Sequence, residues 1–281
     1  MANDPGDINL PVPSPADTTV IHGITVRKGP AREACFNVVE DNADLSFLAD
    51  AESEFDGRDM SDAMRRNRLH THMHNELQSI EIAAQSLHDF PDAPWELQME
   101  IARQCWDESR HARVLYKRLQ ALGGHKGEFS VMHYEWNITC MQDSLAARLA
   151  IQNRTFEAGE MDILKHHVQM WRDAGDPETS EILDAILSDE VHHVRFANRW
   201  LKRLAQDDPS VLLKVITGLS FLKKVTAAYT PEQETVNVAG AKITDTIHRS
   251  PTNVDDRRLA EFSEKEIAEV LRQEGFAAIV P

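Results

Sequence analysis

Apolar residues recur every three or four positions along four long stretches of this chain. Leu69, Met73, Glu76, Ile80, Ala83 and Leu87 trace one helical seam and predict a helix over residues 61–87. Phe90-Pro91-Asp92-Ala93-Pro94 breaks it, and Pro94 suits the first turn of a second helix. Leu97, Ile101, Gln104, Glu108, Ala112, Leu115, Leu119 and Leu122 predict that helix over residues 94–122, closed by Gly123-Gly124. The short break makes the two an antiparallel pair. Residues 123–135 carry no helical signal and are long enough to cross from one end of a bundle to the other. A third helix is expected over residues 136–174, closed by Gly175. Asp176-Pro177 then reads as an N-cap followed by Pro at the first helical position. It opens a fourth helix over residues 177–205, with the seam Leu183, Ile186, Glu190, His193, Ala197, Leu201 and Leu204. The reading is all-α: two antiparallel hairpins joined by one long crossover, a four-helix bundle over residues 61–206.

Outside the bundle the periodicity weakens. Residues 1–60 are rich in Pro and Asp and read as an extended arm, with 20–26 as one short strand. Residues 207–281 read as a helical extension packed on the bundle. It holds an amphipathic segment at 211–228, an irregular stretch at 231–258, a last helix at 261–274 and an apolar tail at 276–280.

Polar residues stand in the seams where a plain bundle would place Leu. Asp107-Glu108-Ser109-Arg110-His111 recurs as Asp189-Glu190-Val191-His192-His193. Positions i and i+3 of a helix share a face, so each Glu and its His can grip one ion. Each motif has a Glu one hairpin upstream: Glu76 stands 32 residues before Glu108, and Glu157 stands 33 before Glu190. A single Glu-x-x-His arises about once by chance in a chain of this composition. The weight lies in the context: both copies follow an Asp, sit in an apolar seam and have an upstream Glu. Burying four unpaired carboxylates would cost several kcal/mol each. A pair of divalent cations supplies the missing charge.

The expected metal ligands are therefore Glu76, Glu108, His111, Glu157, Glu190 and His193. Glu81 is turned roughly 140° from Glu76 around the helix and serves as a fallback or supporting group. Glu160 competes with Glu157, and the hairpin spacing favours Glu157. Asp107 and Asp189 are placed to hydrogen-bond the N–H of a ligating imidazole. His70, His72 and His74, two residues apart, cannot share a face. His72, one turn before Glu76, is within reach of the ions, although the plainer reading of all three is structural. His166, His167 and His192 read as helix-surface groups.

Composition narrows the chemistry. A net charge of −16 argues against a general nucleic-acid binder, which needs a basic face. Arg65, Arg66 and Arg68 form a short basic cluster, read as a solvated helix start. Cys35, Cys105 and Cys140 are far apart and read as reduced, buried thiols of a cytoplasmic protein. The first residues resemble no signal peptide, and no apolar run is long enough to span a bilayer.

As a set these motifs resemble the ferritin-like di-iron/di-manganese carboxylate superfamily. More narrowly they are similar to a bacterial ferritin-like family without assigned function. The resemblance rests on His-x-Glu-Leu-Gln-x-x-Glu at residues 74–81, Glu-x-x-His at 108–111, a Glu-Ala-x-Gly-x-Asp-like stretch at 157–162 and Asp-Glu-x-x-His-Val at 189–194. The third departs from the pattern, with Gly159 and Glu160 where a variable residue and then Gly are expected. The resemblance implies a ferritin-like four-helix bundle and a metal pair, but no substrate.

Hard carboxylates with two imidazoles suit iron or manganese. The expected cofactor is two Fe or Mn ions, a mixed pair included, with Zn as a substitute in isolated protein. The leading expectation is an oxygen-activating oxidase or hydroxylase that takes dioxygen and an unknown small substrate, as a monomer or homodimer. The alternatives are a ferroxidase-type metal-binding protein without an organic substrate, and a non-catalytic helical scaffold.

Overall fold

In a computed structural model of the chain, the described residues are 17–39, 60–229 and 251–273, with two short strands at Thr235–Val236 and Lys242–Ile243. Most of them are helical. Helix α1, Asp62–Asp89, starts at Ser61, whose side chain accepts from the Met64 N–H at 3.2 Å. Helix α2, Trp95–Ala121, starts one residue later than expected, with Pro94 as its N-cap. It stops where Gly123 takes φ +80°, which only glycine adopts freely.

The expected third helix is interrupted. A short α3, Tyr134–Thr139, ends, and the chain restarts as α4, Leu145–Ile151. A π-helical turn, Gln152–Glu157, leads into α5, Ala158–Asp173. Arg148 explains how the break survives burial. Its side chain donates to the carbonyls of Gln142 at 3.2 Å and Cys140 at 3.4 Å, and pairs with Asp89 at 2.5 Å. Carbonyls that leave a helix inside the protein need such donors. Helix α6, Pro177–Asp207, is capped as expected: Asp176 accepts from the Thr179 N–H at 3.0 Å. Arg118 of α2 holds both Asp176 oxygens at 2.8 Å.

Two apolar clusters show how these helices run. Leu69 and Met73 at the start of α1 pack with Leu115 and Leu119 at the end of α2, with Leu164 and Trp171 of α5, and with Leu183 and Ile186 at the start of α6. Ala83 of α1, Leu97 and Ile101 at the start of α2, Leu145 and Leu149 of α4, and Ala197, Leu201 and Leu204 at the end of α6 form the other. Start therefore meets end within each pair, so α1–α2 and α4/α5–α6 are both antiparallel. The candidate ligands lie between the two clusters.

The remaining chain wraps this body. Residues 20–26, expected as one strand, form a hairpin instead. Strands β1, Thr18–Ile21, and β2, Ile24–Arg27, pair antiparallel with Ile21 opposite Ile24. His22 and Gly23 turn it with φ of +49° and +74°. Its inner face packs on Ile138, Ile151, Leu222 and Val225. The last two belong to helix α7, Val211–Tyr229, which matches the expected amphipathic segment. Gly127 has a close neighbour from the same arm: a Cβ there would lie 1.9 Å from the Cys35 carbonyl oxygen.

Within the stretch expected to be irregular, Val254–Leu259 is helix α8. It is pinned by the buried pair of Arg257 and Asp162, 2.6 Å apart. Helix α9, Glu264–Gln273, opens with a capping box in which Ser263 and Glu266 bond each other's backbone N–H at 3.3 and 2.8 Å. The tail at 276–280, and residues 1–16 and 40–59 of the arm, lie outside the described residues. All three cysteines are free, but they are not all buried: Cys35 is exposed and Cys105 half-buried. The Arg65–Arg68 cluster is also less solvated than expected. Arg65 donates to the Ala174 carbonyl at 2.7 Å, and Arg66 pairs with Glu128 at 2.7 Å. No helix among the described residues is long and apolar enough to cross a membrane.

Candidate metal centre

The six expected ligands meet in the polar layer between the apolar clusters, none more than 2 % exposed. Glu76, Glu108, His111 and Glu190 offer donor atoms within 4.8 Å of one another, and so do Glu108, Glu157, Glu190 and His193. Glu108 and Glu190 belong to both groups. Each imidazole turns Nδ1 inward. His111 Nδ1 lies 3.0 Å from Glu108, 3.3 Å from Glu190 and 3.4 Å from Glu76. His193 Nδ1 lies 3.2 Å from Glu190 and 3.4 Å from Glu108.

The outward nitrogens meet the motif aspartates crosswise. His111 Nε2 lies 3.2 Å from Asp189, and His193 Nε2 lies 3.4 Å from Asp107. Each histidine is thus oriented by the aspartate of the other motif. Arg110 joins the two aspartates, bonding Asp107 and lying 3.0 Å from Asp189. Such outer contacts fix the tautomer and leave the inner nitrogen as a lone-pair donor.

The two upstream glutamates differ in their neighbours. Glu157 ends the π-helical turn, a distortion common at functional sites. The turn points Gln152, Asn153 and Glu157 inward together, and all three are buried. Asn153 donates to Glu157 at 2.9 Å, and Gln104 donates to both Glu157 and Glu108. Glu76 instead lies 2.9 Å from His72 Nε2, which is also 2.8 Å from Glu160. Glu81 takes no part in either group. Arg32 of the N-terminal arm holds it, with one contact at 2.7 Å. Arg32 also donates to His74 at 3.1 Å, and His70 accepts from the Gly127 N–H at 2.9 Å, so these two histidines are structural. His192 lies 3.1 Å from Glu100 at the surface. Glu135 of α3 joins the site without a sequence signal; burial first, then the Glu160 carboxylate, pushes its carboxyl up to about 8.

With protons as the only counter-charge, burial raises every carboxyl here. Glu76 and Glu190 are still held below the usual range, by His111 and His72 beside Glu76 and by His193 and His111 beside Glu190. Glu108 and Glu157 are pushed well above it, by burial and then by the Glu190 carboxylate. Glu190 Oε1, 3.3 Å from His111 Nδ1, is buried and has no hydrogen-bond partner among the described residues. An unsatisfied buried oxygen beside an inward-facing imidazole nitrogen fits a cation better than a hydrogen-bond network. Gln104, Gln152 and Asn153, with Arg148 and apolar residues such as Ile82 and Leu149, line a cavity with room for about one water-sized molecule.

This is a mostly helical protein with a buried Glu/His cluster at metal-binding distance. The chain belongs to the protein family of unknown function DUF455, whose model matches residues 19–268. That match runs from the N-terminal hairpin to α9, so it includes segments outside the paired helices. No curated protein and no solved structure matches the chain.

Proposed function

We propose that this is a ferritin-like four-helix-bundle protein whose six inward groups hold two iron or manganese ions, and that it activates dioxygen to oxidise a small substrate. The observation that carries the reading is the sharing of Glu108 and Glu190 between two four-residue groups. Charge supports it too: four carboxylates balance two divalent cations, leaving both imidazoles neutral. The donor set of oxygens and imidazole nitrogens, without thiolate, suits Fe or Mn.

When bound, such ions supply the electrons that reduce dioxygen. The protein supplies the setting. Glu76 and His111 would hold one ion and Glu157 and His193 the other, with Glu108 and Glu190 within reach of both. Asp107 and Asp189 keep a proton on Nε2 of the opposite imidazole, so Nδ1 stays free to ligate. Gln104 and Asn153 hold Glu157 in place. A small cavity of mixed lining, apolar on the side of Ile82, Ile101 and Leu149 and polar on that of Gln104, Gln152 and Asn153, lies beside them.

The test is elemental analysis of protein produced with iron or manganese, followed by reduction and exposure to oxygen. The expected result is at least two ions per chain and oxygen uptake that depends on them. A chain that holds no metal under these conditions would overturn the proposal. One that holds two ions but consumes no oxygen would reduce it to metal binding.

A further inference from the structure

A third group of donors adjoins the six. His72 on α1 and Glu160 on α5 face each other across the helix interface, with Glu76 between them. His72 Nε2 lies 2.9 Å from Glu76 Oε1 and 2.8 Å from Glu160 Oε1. All three donor atoms fall within 4.8 Å of one another. One ring nitrogen carries at most one proton and can direct it at one oxygen only. Here neither oxygen is reached with hydrogen-bond geometry, and His72 Nε2 and Glu76 Oε1 are both buried without a partner among the described residues. Three donors converging on a point, two of them without a hydrogen-bond partner, are an arrangement that a cation in place of the imidazole proton would satisfy.

The two oxygens of Glu76 face different ways. Oε2 lies 3.4 Å from His111, towards the six-residue centre, while Oε1 turns to His72. The new group is also nearer to water: the side chains of His72 and Glu160 are 16 % and 24 % exposed, against 2 % for Glu76. An ion bound for the buried centre has to shed its water shell on the way. A mostly buried imidazole and carboxylate that still touch the surface, with a carboxylate they share with the interior, suit such a step.

We propose that His72, Glu76 and Glu160 form a third divalent-cation site at the solvent edge, through which ions pass to the buried pair. The destination rests on the dinuclear reading above; the third site rests on its own three residues. It takes hard or borderline cations such as Mn2+ and Fe2+, given one nitrogen and two oxygens.

The experiment is equilibrium dialysis of the full chain against Mn2+, with anomalous diffraction from Mn2+-soaked crystals. Wild type is expected to bind three ions, one of them between His72, Glu76 and Glu160. His72→Ala and Glu160→Gln are expected to bind two and to load them roughly tenfold more slowly, the scale for losing a supporting ligand. Circular dichroism checks that the variants fold, and the wild-type anomalous map tests the site independently of them. Two ions in wild type with no density at the third site would overturn this inference alone. Unchanged loading by folded variants would overturn the relay. No ion bound anywhere would overturn the dinuclear reading and this one with it.

Discussion

The two hairpins contribute the same kit, a lone Glu and then Asp-Glu-x-x-His, yet set the lone Glu in opposite surroundings. Glu76 faces a histidine and a second carboxylate that are only partly exposed. Glu157 faces the neutral amides of Gln104 and Asn153 in a closed interior. Burial presses on both. The imidazoles of His111 and His72 hold the Glu76 carboxyl low, whereas burial and the Glu190 carboxylate push that of Glu157 high. A repeated motif thus fixes which atoms meet without fixing what surrounds them. One flank carries further ionisable groups, and the other carries neutral amides beside a small cavity.

The largest effect separates shared from flank-specific carboxylates. Glu108→Ala or Glu190→Ala is expected to remove both ions of the buried pair, while Glu157→Ala removes one of them and Glu76→Ala removes the other together with the ion it shares with His72 and Glu160, as read by elemental analysis. Losing only one ion from Glu108→Ala would break the two-group description. Next come the crossed aspartates. Asp107→Asn is expected to weaken the ion on the His193 side, and Asp189→Asn the one on the His111 side, each by about 10–100-fold. Competition with a chelator, with the remaining ion located by anomalous diffraction, decides it. A weakening on the same motif's side would sink the crossed arrangement.

A smaller, one-sided effect is expected from Asn153→Ala. It removes a donor to the Glu157 carboxylate and should lower affinity by roughly tenfold on that flank only, the low end for a charged hydrogen bond. Smallest is a change that should leave both flanks alone. Asp176→Ala removes the α6 N-cap and should cost about 1 kcal/mol in a denaturant melt, with metal content unchanged. Although burial opposes it, the Thr179 N–H and Arg118 hold the Asp176 carboxyl below its ordinary value. A depressed folded value means a contribution that is full above the unfolded value, about 3.9, and is lost as pH falls through the folded one. The gap between wild type and variant should therefore narrow from pH 7 towards pH 2.

Much of this was legible in the sequence. A charged residue in an apolar seam must have a partner, so Glu108, Glu190 and the two histidines stood out before any contact was known. The helix ends at Ser61, Gly123 and Asp176 follow from local capping chemistry. The misses come from features that periodicity does not encode. A π-helical turn adds a residue without changing the residue types, so 152–157 still read as ordinary helix, and Glu157 and Glu160 looked like rivals. The structure gives each its own group. The break before Leu145 was signalled by Asp143-Ser144 ahead of an apolar run, but the buried Arg148 that makes it tolerable depends on Asp89, 59 positions away. His72 stands out in the sequence as one turn before Glu76, but its second neighbour, Glu160, is supplied by another helix. Asp162, in a stretch that carries the family resemblance, clamps Arg257 of the C-terminal segment. The partner of each aspartate was equally hidden, because it is set by how the hairpins face each other.

That crossing has a consequence for the chain as a whole. A hairpin cut free at the connection after Gly124 would keep its Glu-x-x-His but lose the carboxylate that steers its imidazole, which lives on the other fragment. Neither fragment is half a centre. Mixing the two pieces should restore what each lacks alone, and only in a one-to-one ratio.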